Sequence, residues 1–288
     1  SAQLSWWWAE ASAAAQLFRQ FRRAAEAAVL KAARTLDIAG PLMAGKLAQV
    51  DQLVRHFQFT TGQLKYSMLP TVAAVDGLAL GGGCEFIMHC DRAVATLESY
   101  IGLVEAGVGL LPAGGGSKEF ALRAAAEARG GDLFPFLRRH FETIAMAQVA
   151  RSAEHARELG YLRASDRVVM NRFELLAVAK AEARALAEAG YRPPLRPHDI
   201  PVAGRSVAAT LKAHVANLRE GGFISEHDAL IAGRIADVLC GGELDAGSLV
   251  DETWLLELER RHFMELIATE KTQARIEHTL KTGKPLRN

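Results

Sequence analysis

The sequence has little cysteine, almost no net charge and no long apolar run, and each shortage removes a class of protein. Its three cysteines are Cys84, Cys90 and Cys240. Three thiols cannot build a disulfide framework, and the count suits a reducing compartment. Cys84, His89 and Cys90 cluster, but their spacing fits no zinc pattern, so they read as small buried side chains. Lys and Arg number 34 against 33 Asp and Glu, a net charge of +1. That balance gives no electrostatic reason to expect nucleic acid or an anionic membrane as partner. The basic pairs Arg22-Arg23, Arg138-Arg139 and Arg260-Arg261 fall in helix-like segments and read as solvated faces. No apolar run is long enough to span a bilayer. The opening SAQLSWWWAE lacks the basic and apolar regions of a signal peptide, so a cytoplasmic protein is expected. Neither an internal repeat nor a low-complexity tail is visible. Half of the 288 residues are hydrophobic, enough for one large core or two modest ones.

Four regions follow from the pattern. Residues 1–50 are rich in Ala and Arg, carry Trp6, Trp7 and Trp8, and look helical or irregular with no clear strand. Residues 51–190 form the main unit. It opens with a helical spacing through Leu53, Val54, Phe57 and Leu64 that Pro70 stops. TVAAV (71–75) reads as a buried, parallel strand, and Asp76-Gly77 as a turn. Leu78 to Leu80 continue extended, Glu85 to Cys90 look helical, and RAVAT and SYIGL read as two further strands. After Gly116 the pattern turns helical, with Ser117 as an expected N-cap. Residues 191–204 are a Pro-rich linker. Residues 205–288 form a helical C-terminal region, with a capping box at Ser225 and Asp228 and one long amphipathic helix from Asp251 to about Lys281.

The chemistry concentrates between Gly77 and Gly116. Gly81, Gly82 and Gly83 stand between a strand and a helix, where bare backbone N–H groups carry the positive end of the helix dipole. Such a turn suits a phosphate or a developing oxyanion. A phosphate loop is excluded, because Cys84-Glu85 stands where Lys-Ser/Thr is required. GGGCEF also fails the dinucleotide fingerprint, and no Gly-x-Ser-x-Gly elbow exists for a hydrolase. Glu85 falls in the first helical turn, where the dipole is expected to favour its ionised form. Glu105 sits in the apolar run GLVEAGVGLLPAGGG, where desolvation is expected to raise its pKa. Two carboxylates pushed apart in this way are the usual basis of an acid and base pair. His89, one turn after Glu85, is within reach of it, though a satisfied helix histidine is the better reading.

MLPTVAAVDGLALGGGCEF, ESYIGLVEAGVGLLPAGGG and the ending LKTGKPLRN together resemble the enoyl-CoA hydratase/isomerase (crotonase) superfamily. The resemblance is closest to the hydratase domain of bacterial 3-hydroxyacyl-CoA dehydrogenases of fatty-acid oxidation, and covers residue 50 onward. It implies an α/β fold, a ββα spiral followed by a helical C-terminal region. It implies a hydratase adding water across the C2–C3 double bond of an enoyl-CoA thioester. Glu85 would activate the water, Glu105 would exchange a proton at C2, and the Gly82 N–H would hold the thioester oxygen. Gly81, Gly83, Pro112 and Gly114 would shape the substrate-binding side. CoA enters as part of the substrate, no cofactor is required for hydration, and NAD enters only with an upstream dehydrogenase domain. The partners implied are the acyl-CoA, further copies of the chain, or a thiolase or dehydrogenase. Isomerisation on the same scaffold and a non-catalytic acyl-CoA-binding or assembly module are the alternatives. The family's second oxyanion loop has its nearest counterpart in Ala39-Gly40-Pro41-Leu42, where proline would offer no N–H.

Overall fold

The computed structural model describes residues 46–288. The Ala-rich opening, the Arg22-Arg23 pair and Ala39-Gly40-Pro41-Leu42 lie outside the described residues.

Helix α1 (Leu47–Lys65) buries Val50, Val54, Phe57 and Thr61 along one side, the stripe expected from helical spacing. Two ββα turns follow. The first is β1 (Val72–Val75), β2 (Leu78–Leu80) and α2 (Gly82–His89). The second is β3 (Arg92–Thr96), β4 (Tyr100–Gly102), a single 3-10 turn (Glu105–Val108) and α3 (Gly116–Ala128). β1 pairs parallel with β3, Val72 facing Arg92, and β2 pairs parallel with β4, Leu78 facing Tyr100. Each strand therefore lies on its counterpart one turn later, which is the spiral that the resemblance implies. β5 (Arg167–Val169) extends the larger sheet to the order β1-β3-β5. β1 is parallel as expected but less buried. It stands at the sheet edge among the described residues, and its Ala74 faces solvent.

Helices dominate the remainder, as expected: α4 (Phe134–Ala145), α5 (Ala153–Glu158), α6 (Leu175–Glu188), α7 (Gly204–Glu220), α8 (Glu226–Cys240), α9 (Glu252–Ile267) and α10 (Glu270–Thr282). Ser225 and Asp228 form the expected capping box, and Gly241 closes α8 in the left-handed region at φ 84°.

Three expectations are corrected. Ser117 does not cap α3. Gly115, at φ 104°, precedes the helix, and the Ser117 hydroxyl donates to the Pro112 carbonyl at 2.9 Å. The long C-terminal helix is two helices. Thr269 breaks it by accepting the Thr272 N–H, which starts α10 as a new N-terminus. The Pro-rich stretch contains a short strand, β6 (Ile200–Pro201), antiparallel to β7 (Leu249–Val250). Strands of two or three residues are too short to leave a periodicity.

One apolar core runs from Val50 of α1 through Leu103 and Phe120 to Ile267 of α9. Residues on both sides of the Pro-rich stretch thus pack together. Phe120 is fully buried, with its ring 4.5 Å from His140 and 5.5 Å from Tyr161. Phe120→Ala is expected to destabilise the protein by about 3–5 kcal/mol. Urea unfolding should show a lower midpoint at unchanged slope.

Candidate active site

Three backbone features bring the glycines and glutamates together. Gly81 leaves β2 at φ 55° and donates its N–H to the Gly102 carbonyl at 2.8 Å. That bond joins successive turns of the spiral and sets the 3-10 turn of Glu105 against the start of α2. A Cβ at Gly81 would stand 3.2 Å from Glu105 Oε1, and positive φ strains any L side chain there. Gly82, the first residue of α2, has no helical partner for its N–H.

Glu85 is 2% exposed. Its Oε1 accepts the Gly114 N–H and the Gly116 N–H, each at 2.8 Å. These donors belong to the loop and first turn of α3, so the helix dipole that acts most directly on the carboxylate is that of α3. Its other oxygen, Oε2, takes no hydrogen bond among the described residues. Gly114 is required here by space. A Cβ would fall 2.0 Å from Phe57 Cε1 and 2.5 Å from Glu85 Oε2. Thr61 of α1 fixes the same loop by donating to the Gly114 carbonyl at 2.7 Å.

Leu53, Val54, Phe57, Gly82, Glu85, Glu105, Leu110, Leu111, Ala113, Gly114 and Phe263 line a small, partly open apolar cleft. Glu85, Glu105, Gly82 and Gly114 therefore share one cleft, and Gly81 borders it. Pro112 and Gly83 do not line it. Pro112 is buried behind the loop with its carbonyl on Ser117. Gly83 faces a second cleft beside β1, with Val72, Leu78 and Phe86.

The ionisation of the pair corrects the sequence reading. Burial pushes Glu85 up to about 7, and the Gly116 and Gly114 hydrogen bonds offset only part of it. Burial, reinforced by the Glu85 charge, pushes Glu105 up to about 8, the direction expected. Glu105 Oε2 is buried and has no hydrogen-bond partner among the described residues. Both groups are thus displaced the same way, because desolvation outweighs the helix dipole at Glu85. His89 bonds to the Glu85 backbone carbonyl through Nδ1 at 2.6 Å, not to the carboxylate, and its Nε2 meets Lys118 Nζ at 3.0 Å. Burial and then the Lys118 charge lower His89 to about 3. The ring is neutral, donating from Nδ1 and accepting at Nε2.

Sequence reasoning missed the groups behind this loop. Glu259 of α9, fully buried, accepts the Lys118 N–H at 2.6 Å and the Gly115 N–H at 3.0 Å. Burial and then the Glu85 charge push it well above the usual carboxylate range. Its place on the apolar stripe of Leu255, Leu258 and Phe263 was the available signal. Nearby, Lys118 Nζ meets Glu119 at 2.5 Å and Glu252 at 3.2 Å, while Lys65 Nζ meets the same two at 2.6 and 2.8 Å. Burial would lower Lys118, but Glu119 and Glu252 outweigh it and keep the ammonium charged. The three cysteines are buried and free. No described helix is long and apolar enough to cross a membrane.

A carboxyl group whose folded pKa is raised favours the folded state less as pH rises, because the folded chain holds a proton that the unfolded chain has released. For Glu105 that window runs from about 4.5 to about 8. Glu105→Gln removes the loss. The stability difference, variant minus parent, is therefore expected to grow with pH across this window, as read by urea unfolding at several pH values.

The family model for enoyl-CoA hydratase/isomerase matches residues 12–129. A probable 3-hydroxyacyl-CoA dehydrogenase of Bacillus subtilis is 44% identical over 240 residues, 83% of this chain and 30% of that protein. A probable enoyl-CoA hydratase of Mycobacterium tuberculosis is 41% identical over 87 residues, 30% of this chain and 34% of that protein. The chain thus spans about a third or less of the length of these relatives. Among solved structures, an enoyl-CoA hydratase/isomerase from Xanthobacter autotrophicus Py2 aligns with a TM-score of 0.48 at 20% identity, covering 86% of this chain and 71% of that one. With the glycine turn, the two glutamates, the family-model match and the Bacillus subtilis relative, the chain belongs to the enoyl-CoA hydratase/isomerase superfamily.

Proposed function

We propose that the chain carries an enoyl-CoA hydratase site acting in fatty-acid β-oxidation. The observation that carries this reading is the convergence of Glu85, Glu105 and Gly82 on one apolar cleft. Burial raises both carboxyl groups and the Glu85 charge raises Glu105 further, so the pair shares a proton for which Glu105 is the favoured site. That division suits addition of water. Glu85 takes a proton from water as the water oxygen bonds to C3, and Glu105 gives its proton to C2. The Gly82 N–H, at the positive end of α2, stabilises charge on the thioester oxygen. Oε2 of Glu85 is the oxygen left for the water, since Oε1 is committed to Gly114 and Gly116.

Hydration needs only the acyl-CoA and water. A requirement for NAD would belong to a dehydrogenase region, and a thiolase or dehydrogenase is the proposed partner. Retention of both glutamates favours hydration over isomerisation.

The test is crotonyl-CoA hydration by the purified chain, followed as loss of the conjugated thioester. Glu85→Gln and Glu105→Gln are each expected to lower kcat by roughly 10²- to 10⁴-fold. Double-bond migration without hydration would identify an isomerase, and CoA-ester binding without turnover would indicate a docking module. For the active chain, kcat/KM is expected to follow a bell in pH, falling on the acid side as the Glu85–Glu105 pair gains a second proton and on the alkaline side as it loses its last, with both limbs above the usual carboxylate range.

A further inference from the structure

The turn from Gly114 to Lys118 is held from two sides. Glu85 of α2 takes the Gly114 and Gly116 N–H groups. Glu259 of α9 takes the Gly115 and Lys118 N–H groups. The donors interleave along the chain, so the turn cannot shift toward one carboxylate without leaving the other. Gln58 of α1 completes the arrangement. Its Nε2 donates to the Leu256 carbonyl at 2.9 Å and reaches Glu259 Oε2 at 3.4 Å. Glu259 does not line the cleft and cannot touch a substrate there.

We propose that Glu259 is a positioning residue for the site: it fixes the backbone of the Gly115–Lys118 turn and so aims the Gly114 and Gly116 N–H groups at Glu85 Oε1. This rests on the reading of Glu85 as the group that activates water. Three points support it. The first is burial: a fully buried carboxyl group is costly to leave unpaired, and among the described residues the partners of Glu259 are these backbone donors and Gln58. The second is the lack of a cation: Lys118 and Lys65 place their ammonium groups on Glu119 and Glu252 and make no salt bridge to Glu259. The third is leverage: the contact joins α9 to the mouth of α3, and Phe263, one helical turn further along α9, lines the cleft wall. A shift of α9 would move the wall and the Glu85 anchor together.

Two readouts separate this role from bulk stability, and one of them needs no activity. The first is amide hydrogen exchange, read by NMR in the 288-residue chain. Glu259→Gln keeps the shape but turns one oxygen into a donor that opposes an N–H. Exchange at Gly114 and Gly116 is expected to accelerate in this variant, although neither amide touches residue 259, while amides in α7 keep the parent rates. The second is the kinetic split: kcat for crotonyl-CoA is expected to fall about 10- to 100-fold with KM moving less than about threefold, as for a displaced group rather than a lost binding contact. Unchanged Gly114 and Gly116 exchange in a folded Glu259→Gln protein would overturn the proposal. Should that variant fail to fold, Gln58→Leu loosens Glu259 from behind. The same faster exchange is then expected, and parent-like exchange overturns the proposal. An inactive parent chain would defeat the hydratase reading and leave the exchange measurement to decide whether Glu259 holds the turn.

Discussion

The site depends on the parallel pairing of one spiral turn with the next. β1 pairs with β3 and β2 with β4 at similar displacements, Val72 facing Arg92 and Leu78 facing Tyr100, and the Gly81 N–H to the Gly102 carbonyl locks the turns where β2 gives way to α2. Glu85 and Glu105 stand twenty positions apart in the chain. That is about one turn of the spiral, so the two carboxylates occupy corresponding stations on neighbouring turns. A slip in register would separate them and expose apolar faces as well.

Around this frame, the protein sorts its buried carboxylates into two kinds. Glu119 and Glu252 share the ammonium groups of Lys65 and Lys118, and those cations overcome burial and hold both below the usual carboxylate range. Glu85, Glu105 and Glu259 have no cation at bonding distance among the described residues, and burial raises all three. The separation is achieved within a few residues. The Lys118 backbone N–H serves Glu259, while its side chain serves Glu119 and Glu252. Local charge pairing therefore determines which buried carboxyl groups are held below the usual range and which are raised above it.

Much of this was legible in the letters. Gly81 to Gly83 before Glu85 marked a strand-to-helix turn, and the apolar run around Glu105 marked desolvation. The strands TVAAV and RAVAT stood out through β-branched runs. Other features lacked a local signal. The dipole argument for Glu85 failed because burial depends on Phe57 and Phe263, which arrive from distant segments. Ser117 looked like a cap because Ser often is one, but a left-handed Gly115 had already started the helix. The spiral repeat is carried by backbone pairing rather than by similar side chains, so no internal repeat showed. Glu259 looked like one more polar residue on an amphipathic helix.

The contacts that finish the site reach far along the chain. Glu259 meets Gly115 and Lys118 across separations of 144 and 141 residues. Thr272 of α10 donates to the Gly109 carbonyl, just past the turn of Glu105, across 163. Segments of such separation meet late, because the loop between them must first be closed. During synthesis the spiral turns leave the ribosome well before α9 and α10. Until those helices arrive, the glycine turn lacks two of its acceptors and the cleft lacks a wall. A nascent or C-terminally clipped chain would hold the recognisable glycine and glutamate motif in an unfinished pocket, so sequence identity in that motif and possession of a competent site are separable properties of this protein.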